Sequence, residues 1–296
     1  MDGNIAMIDG VITQREYWNG EVGARWARNQ RRIDAVFAPL TAALFDEARL
    51  RVDSSLLDIG CGAGDCAIIA ARRLGARGRV VAVDLSAPLL AVARERAEIE
   101  ALAGASITFI EADAQSHDLG SSLFEHAISR FGVMFFEASG AAFANIRKAL
   151  VPGGRLTFLC WRRIEDNPWI AVPRHVVLPL VPALEPALPD APGPFRFAEA
   201  ESIGAILAQA GFLDITVEAI DRPLTLARSG NGTSYEAAEA AADFAIELGP
   251  VSRLLRDQPA SIRSMAQKRV ADEFADRALS GAVTLAAGCW LVSAMR

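Results

Sequence analysis

The chain has only four cysteines, Cys61, Cys66, Cys160 and Cys289, scattered and without a CxxC pair. That spacing implies neither a zinc cluster nor a disulfide framework, and it fits a reducing cytoplasm. Basic residues are in the minority: 30 Lys and Arg stand against 36 Asp and Glu, a formal charge of −6. A broad basic stripe for nucleic acid is therefore not expected. Only three histidines occur, and His117, His126 and His175 make no Ser/His/Asp, Cys/His or metal-ligand pattern, so no metal is expected. The opening MDGNIAMIDG lacks the basic start and apolar core of a signal peptide. No apolar run reaches the roughly 20 residues of a membrane span, which leaves the expectation of a soluble, cytoplasmic protein. Internal repeats and low-complexity tracts are missing too.

What is present is core material: 296 residues, 52% of them hydrophobic, enough for one large domain or a main domain with an insertion. Residues 15–50 read as mostly helical from apolar groups three and four apart, with Gly20 and Pro39 dividing the stretch. Short apolar strands then alternate with helical patterns: LLDIG, RVVAVDL, ITFIEA, HAISRF and RLTFLCW, separated by segments such as CAIIAARRLG and AAFANIRKALVPGG. That rhythm predicts an α/β fold with a doubly wound, mostly parallel sheet. LDITVEAI and AVTLAAGCWLVSAM raise the strand count to seven. Eight prolines between residues 162 and 195 rule out one long helix there. The expected division is a helical lid over 1–50, a cofactor-binding core over 51–162, a proline-rich substrate-side insertion over 163–200, and completion of the core with a helical insertion over 201–296.

The sharpest local feature is LLDIGCGAGD, in which a buried strand feeds Gly60, Gly62 and Gly64. Without Cβ atoms the backbone there can approach a ligand closely, and the helix that follows points its first amides into the same crevice. The next strand ends in Asp84, whose carboxylate can accept hydrogen bonds from adjacent ribose hydroxyls. The pattern GCGAG sets its third glycine one position earlier than the dinucleotide fingerprint GxGxxG. A nucleotide-like cofactor is expected, S-adenosylmethionine ahead of NAD, with a purely structural turn as the remaining possibility.

LLDIGCGAGD, VVAVDLS, EADAQ, SRFGVMFF and ALVPGGRLTFLCWR occur in that order across residues 50–162. Together they resemble the class I S-adenosylmethionine-dependent methyltransferases, in particular the small-molecule branch of the ubiquinone and menaquinone methyltransferases. The resemblance weakens over the proline-rich segment. It implies S-adenosylmethionine as cofactor and S-adenosylhomocysteine as product. It places the methionine end near Asp58, Gly60 and Gly62, with Gly64 completing the loop. Asp84 would hold the ribose, Leu85 would pack on adenine, and Asp113 with Ala114 would address its amino edge. Ser129 and Arg130 would stand at the border between cofactor and acceptor. Asp58 and Asp113 have structural alternatives, as a tie for the glycine turn and as a cap; Arg130 has one as a fastener of its own loop.

A methyl group on a sulfonium is already electrophilic, so positioning for direct in-line attack is the main task expected of the protein. The acceptor is expected to be a small aromatic or apolar metabolite, held by Tyr17, Trp18 and Trp26 of the N-terminal segment and by Trp161 and Trp169. Trp18 and Trp26 have a structural alternative, fastening the helices to the sheet. His175 is the candidate base; a structural role competes with it. Phe131, Met134, Phe135 and Phe136 read as core or pocket wall. The alternatives are an NAD-dependent oxidoreductase, disfavoured by the glycine spacing and the lack of a YxxxK pair, and a cofactor-binding module without turnover.

Overall fold

Seven strands form one sheet in the order β3-β2-β1-β4-β5-β7-β6. In the computed structural model, which describes residues 13–100, 104–182, 191–230 and 233–296, these strands are β1 Ser55–Ile59, β2 Arg79–Asp84, β3 Ser106–Glu111, β4 Phe124–Arg130, β5 Leu150–Trp161, β6 Leu213–Arg228 and β7 Ala282–Met295. The first five are parallel, and β7 runs antiparallel between β5 and β6. A mostly parallel sheet needs helices on both faces. They are α4 Asp65–Leu74, α5 Ala87–Glu100, α6 Ser139–Ala149 and α8 Ala200–Gln209, together with α3 Gln30–Ala48 from the N-terminal region. The core lies between the layers and includes the fully buried Phe45, Phe143, Phe158, Phe197, Phe244 and Phe274.

Three further regions cap the edge of the sheet at which the parallel strands end. One is the short pair α1 Gln14–Asn19 and α2 Glu21–Arg28; another is α7 Pro168–Val177, which follows β5. The third comprises α9 Ser234–Glu247, α10 Pro250–Leu254 and α11 Ala260–Ala275. Residues 1–12 of the expected lid and 183–190 of the expected insertion lie outside the described residues.

The expected break at Gly20 is present, but the one at Pro39 is not: Pro39 sits inside an unbroken α3. The carbonyl that it leaves without a donor belongs to Ala35, which is exposed and open to water. Strand β6 continues eight residues past the apolar run LDITVEAI and passes through Pro223. Proline is tolerated there because β6 is the last strand of the sheet and its outer edge needs no ladder donor. Among the described residues no helix is long and apolar enough to cross a membrane.

Candidate functional site

Strand β1 lies between β2 and β4, and its exit is built from bare backbone. Gly60, Gly62 and Gly64 all have positive φ, +66°, +53° and +85°. The reasons differ. A Cβ on Gly60 would stand 2.8 Å from the Cα of Gly132, so the exits of β1 and β4 touch through two glycines. A Cβ on Gly62 would meet nothing within 4 Å; this residue faces the open cleft. Gly64 precedes α4 and faces away, with Ala93 of α5 3.0 Å from where a Cβ would be. It does not line the cleft but lets two helices pack beneath it.

Asp84, the last residue of β2, turns back over this loop. Its carboxylate accepts from the Gly62 N–H at 2.7 Å and from the Ser86 N–H at 2.8 Å. Burial raises its pKa from the ordinary value, and the Ser86, Gly62 and Leu85 amides oppose that shift. Asp58, in the middle of the sheet, is 1% exposed and its Oδ2 has no hydrogen-bond partner. Burial pushes its carboxyl up to about 7, against the pull of Arg130 and with the repulsion of Asp84 and Asp65 added.

The cleft continues past Leu85 to the turn after β3, where Asp113 accepts from the Gln115 N–H at 2.9 Å and the Ala114 carbonyl accepts from Asn145 at 2.9 Å. Helix α1 covers this end. Asn19 donates to the Leu85 carbonyl and accepts from the Ala87 N–H, both at 2.9 Å, and Ser86 Oγ donates to the Trp18 carbonyl at 2.7 Å. Trp18 packs edge-on against Trp26 and Phe135.

At the opposite end the walls are aromatic. Phe131 and Trp161 stack with ring centroids 3.8 Å apart and planes 10° off parallel. Phe37 of α3 meets Phe131, Trp161 and Trp169 edge-on. The Trp169 indole N–H donates to Asn167 Oδ1 at 3.3 Å; Asn167 is fully buried, and its amide also holds the carbonyls of Arg163 and Gly288, each at 3.0 Å. One cavity of about 460 Å³ runs between the two ends and is lined by Asp58, Gly60, Gly62, Asp84, Leu85, Asp113 and Ala114 as well as by Trp18, Trp26, Phe37, Phe131, Trp161 and Trp169.

Besides Gly64, which is expected at the cofactor and instead packs against Ala93, three expectations need correction. Ser129 is fully buried, donates to the Ile59 carbonyl at 2.7 Å and accepts from the Gly132 N–H at 3.2 Å; it joins the β1 and β4 exits instead of facing a ligand. His175 is exposed on α7 and lies outside the cavity lining, because the buried face of that helix is taken by Trp169, Ile170, Pro173 and Val177. Tyr17 is also outside the lining; Arg256 stands over its ring.

Arg130 does line the cavity, but its guanidinium is engaged: it donates to Thr41 and Asp65 at 2.6 Å and to Asp34 at 3.1 Å. Asp34 also pairs with Arg96 at 3.0 Å. This alternation of charges ties α3, α4 and α5 to the end of β4. Among the lining residues that sequence reasoning did not single out, Gln30, Asp34 and Phe37 come from α3. Their only signal is the helical period, which does not say what the helix packs against. Cys61 and Cys66 also line the cavity, with burial pushing both thiols up.

Residues 56–154 match the family model described as a methyltransferase domain. A ubiquinone/menaquinone biosynthesis C-methyltransferase from Marinomonas sp. is 26% identical over 157 residues, which cover 53% of this chain and 62% of that protein. A demethylmenaquinone methyltransferase from Thermus thermophilus is 29% identical over 175 residues, 56% of this chain and 78% of that protein. The chain thus spans less than two thirds of the first relative and more of the second. Among solved structures, phosphoethanolamine N-methyltransferase 2 from Haemonchus contortus aligns over 97% of this chain and 60% of that one at a TM-score of 0.58. With 18% identity, that likeness concerns the fold.

Proposed function

We propose that the chain, whose residues 56–154 match a methyltransferase domain and which is similar to ubiquinone and menaquinone methyltransferases, is a class I S-adenosylmethionine-dependent methyltransferase and that it methylates a small aromatic metabolite. The observation that carries this reading is a continuous cavity with a glycine-and-carboxylate end and an aromatic end. The polar end fits the cofactor. The unpartnered Asp58 Oδ2 complements an ammonium group, which a buried carboxylate needs if it is to be charged. Gly62 leaves room where any side chain would intrude. Asp84 spends one hydrogen bond on each carboxylate oxygen and keeps lone pairs for a ribose diol. Asp113, Ala114 and Leu85 would frame the adenine.

When bound, S-adenosylmethionine supplies a methyl carbon that is already electrophilic. The contribution of the protein is to orient and enclose. Arg130 and its carboxylates fix the floor, α1 and α2 act as a lid, and α7 with the segment that follows β5 supplies the acceptor wall. Phe37, Phe131, Trp161 and Trp169 offer ring faces and edges that hold a flat apolar acceptor in line with the methyl group and exclude water. Calorimetry with S-adenosylhomocysteine and with NAD tests the cofactor: saturable binding of the first and none of the second is expected, and the reverse defeats the reading. Incubation with radiolabelled S-adenosylmethionine and a panel of phenols and hydroquinones, followed by mass spectrometry, tests the acceptor class.

A further inference from the structure

Phe131 has a left-handed backbone, with φ +66°. Such a conformation is unfavourable for a bulky L residue and free of cost for glycine. Both neighbours impose it. On one side, Arg130 is held toward α3 and α4 by Asp34, Thr41 and Asp65. On the other, Gly132 lies against the β1 exit so closely that a Cβ would stand 2.7 Å from the Ile59 carbonyl oxygen. The chain must turn between these two anchors within one residue, while the Phe131 N–H still donates to the Leu159 carbonyl at 3.1 Å. Strain of this kind persists where the surroundings over-determine it, and it gathers at functional sites. A glycine would make the turn without strain, so what the phenylalanine adds is its ring. That ring lies flat on Trp161 and borders the cavity beside the Gly60–Gly132 contact.

We propose that Phe131 is the specificity-determining residue of the acceptor compartment: its ring, backed by Trp161, forms a flat wall that admits planar ring-bearing acceptors and disfavours puckered ones of the same size. This deepens the proposed function and rests on it for the identity of the cofactor. Trp161 holds the ring parallel on one side and Phe37 meets it edge-on, which leaves the ring little freedom to tilt out of the way. A saturated bicycle is thicker than an aromatic one and has no π-face to offset against the wall, so it loses both fit and quadrupole attraction.

The test titrates the full chain with two neutral probes, flat 2-naphthol and its saturated counterpart 2-decalol, in the presence and in the absence of S-adenosylhomocysteine. Wild type is expected to bind 2-naphthol about tenfold tighter than 2-decalol, the range an aromatic contact supplies. Phe131→Leu should bring the two probes to within about twofold while affinity for S-adenosylhomocysteine is unchanged, and Phe131→Tyr should restore the preference. Phe131→Met serves if the leucine variant does not fold. The assignment is overturned if wild type does not discriminate, if discrimination survives without the ring, or if it disappears only together with cofactor affinity. Failure of wild type to bind S-adenosylhomocysteine defeats the methyltransferase reading instead, and the probes titrated without it still decide the role of Phe131.

Discussion

The two ends of the cavity are built from different material. At the glycine end the surfaces are backbone and carboxylate: Gly60 against Gly132, Gly62 open to the cleft, Asp84 held by two amides. At the aromatic end they are side chains brought by α3, β5, α7 and the turn after β4. The first end has almost no steric slack, because the shape of a main chain can be changed only by moving it. The second can be resculpted by exchanging rings. One end is therefore suited to an unvarying ligand, and the other is where selectivity can be set.

The strongest way to break this contrast is Gly60→Ala. The new methyl would meet Gly132 Cα at 2.8 Å, and a left-handed alanine costs about 1–2 kcal/mol before any backbone shift. Affinity for S-adenosylhomocysteine should fall on the order of 100-fold, with Tm lowered as well. Gly62→Ala separates the causes: it has the same backbone sign but open space around the Cβ, so Tm should drop less. If the two variants behave alike in Tm, the Gly60–Gly132 contact is not what shapes the loop. Next in size is Asp84→Ala. Loss of a charged acceptor is worth about 1.5–3 kcal/mol, so S-adenosylhomocysteine affinity should fall roughly 10- to 100-fold. Unchanged affinity in a folded variant would remove Asp84 from the ribose site.

The same contrast explains what could be read from the sequence. The glycine end is local: Asp58 to Gly64 and Asp84 to Ser86 follow one strand-turn-helix pattern and its successor, and each residue type has a backbone reason to stand there. The first five strands are legible because parallel strands inside a covered sheet read as short apolar runs, whereas β6 runs eight residues past its apolar run. The aromatic end depends on where distant elements meet. Nothing in AVFAPLTAALF says that Phe37 touches Trp161, and His175 looked available only until α7 received a buried face. Ser129 differs from expectation for a related reason: the sequence marks its neighbourhood, but strand alternation turns it to the side opposite Arg130, toward the β1 exit.

A smaller effect sharpens the charge side of the glycine end. With its carboxyl raised to about 7, Asp58 keeps a proton in the folded, ligand-free protein that the unfolded chain has already lost in the ordinary carboxylate range. That contribution to stability is complete at low pH and disappears as pH rises through about 7, so the Tm of ligand-free protein should decline across that window. Ligand affinity runs the other way. An ammonium group favours the carboxylate, so S-adenosylhomocysteine should bind more tightly from pH 6 to pH 8, by at most about tenfold per unit below the pKa, with a proton released to the buffer. Calorimetry in buffers of different ionisation enthalpy counts that proton. Asp58→Asn should abolish both trends, and a pH-independent affinity in wild type would take Asp58 out of contact with the cofactor.

The smallest expected change concerns the element that covers the glycine end. Helix α1 has six residues, none of them buried, so it draws little stability from packing and opens readily by local unfolding. What ties it to the Asp84 loop is a set of hydrogen bonds: Asn19 to Leu85 and Ala87, and Ser86 to the Trp18 carbonyl. Exposed bonds of this type are each worth about 0.5–1 kcal/mol. Asn19→Ala should therefore speed release of S-adenosylhomocysteine by about threefold to tenfold, while the intact Asp84 contacts keep the equilibrium loss within the same factor. Trp18, Trp26, Trp161 and Trp169 line the cavity, so tryptophan fluorescence in a stopped-flow displacement experiment reports the rate. An unchanged rate would mean that ligand leaves past the aromatic walls, and the two ends of the cavity would then share one doorway.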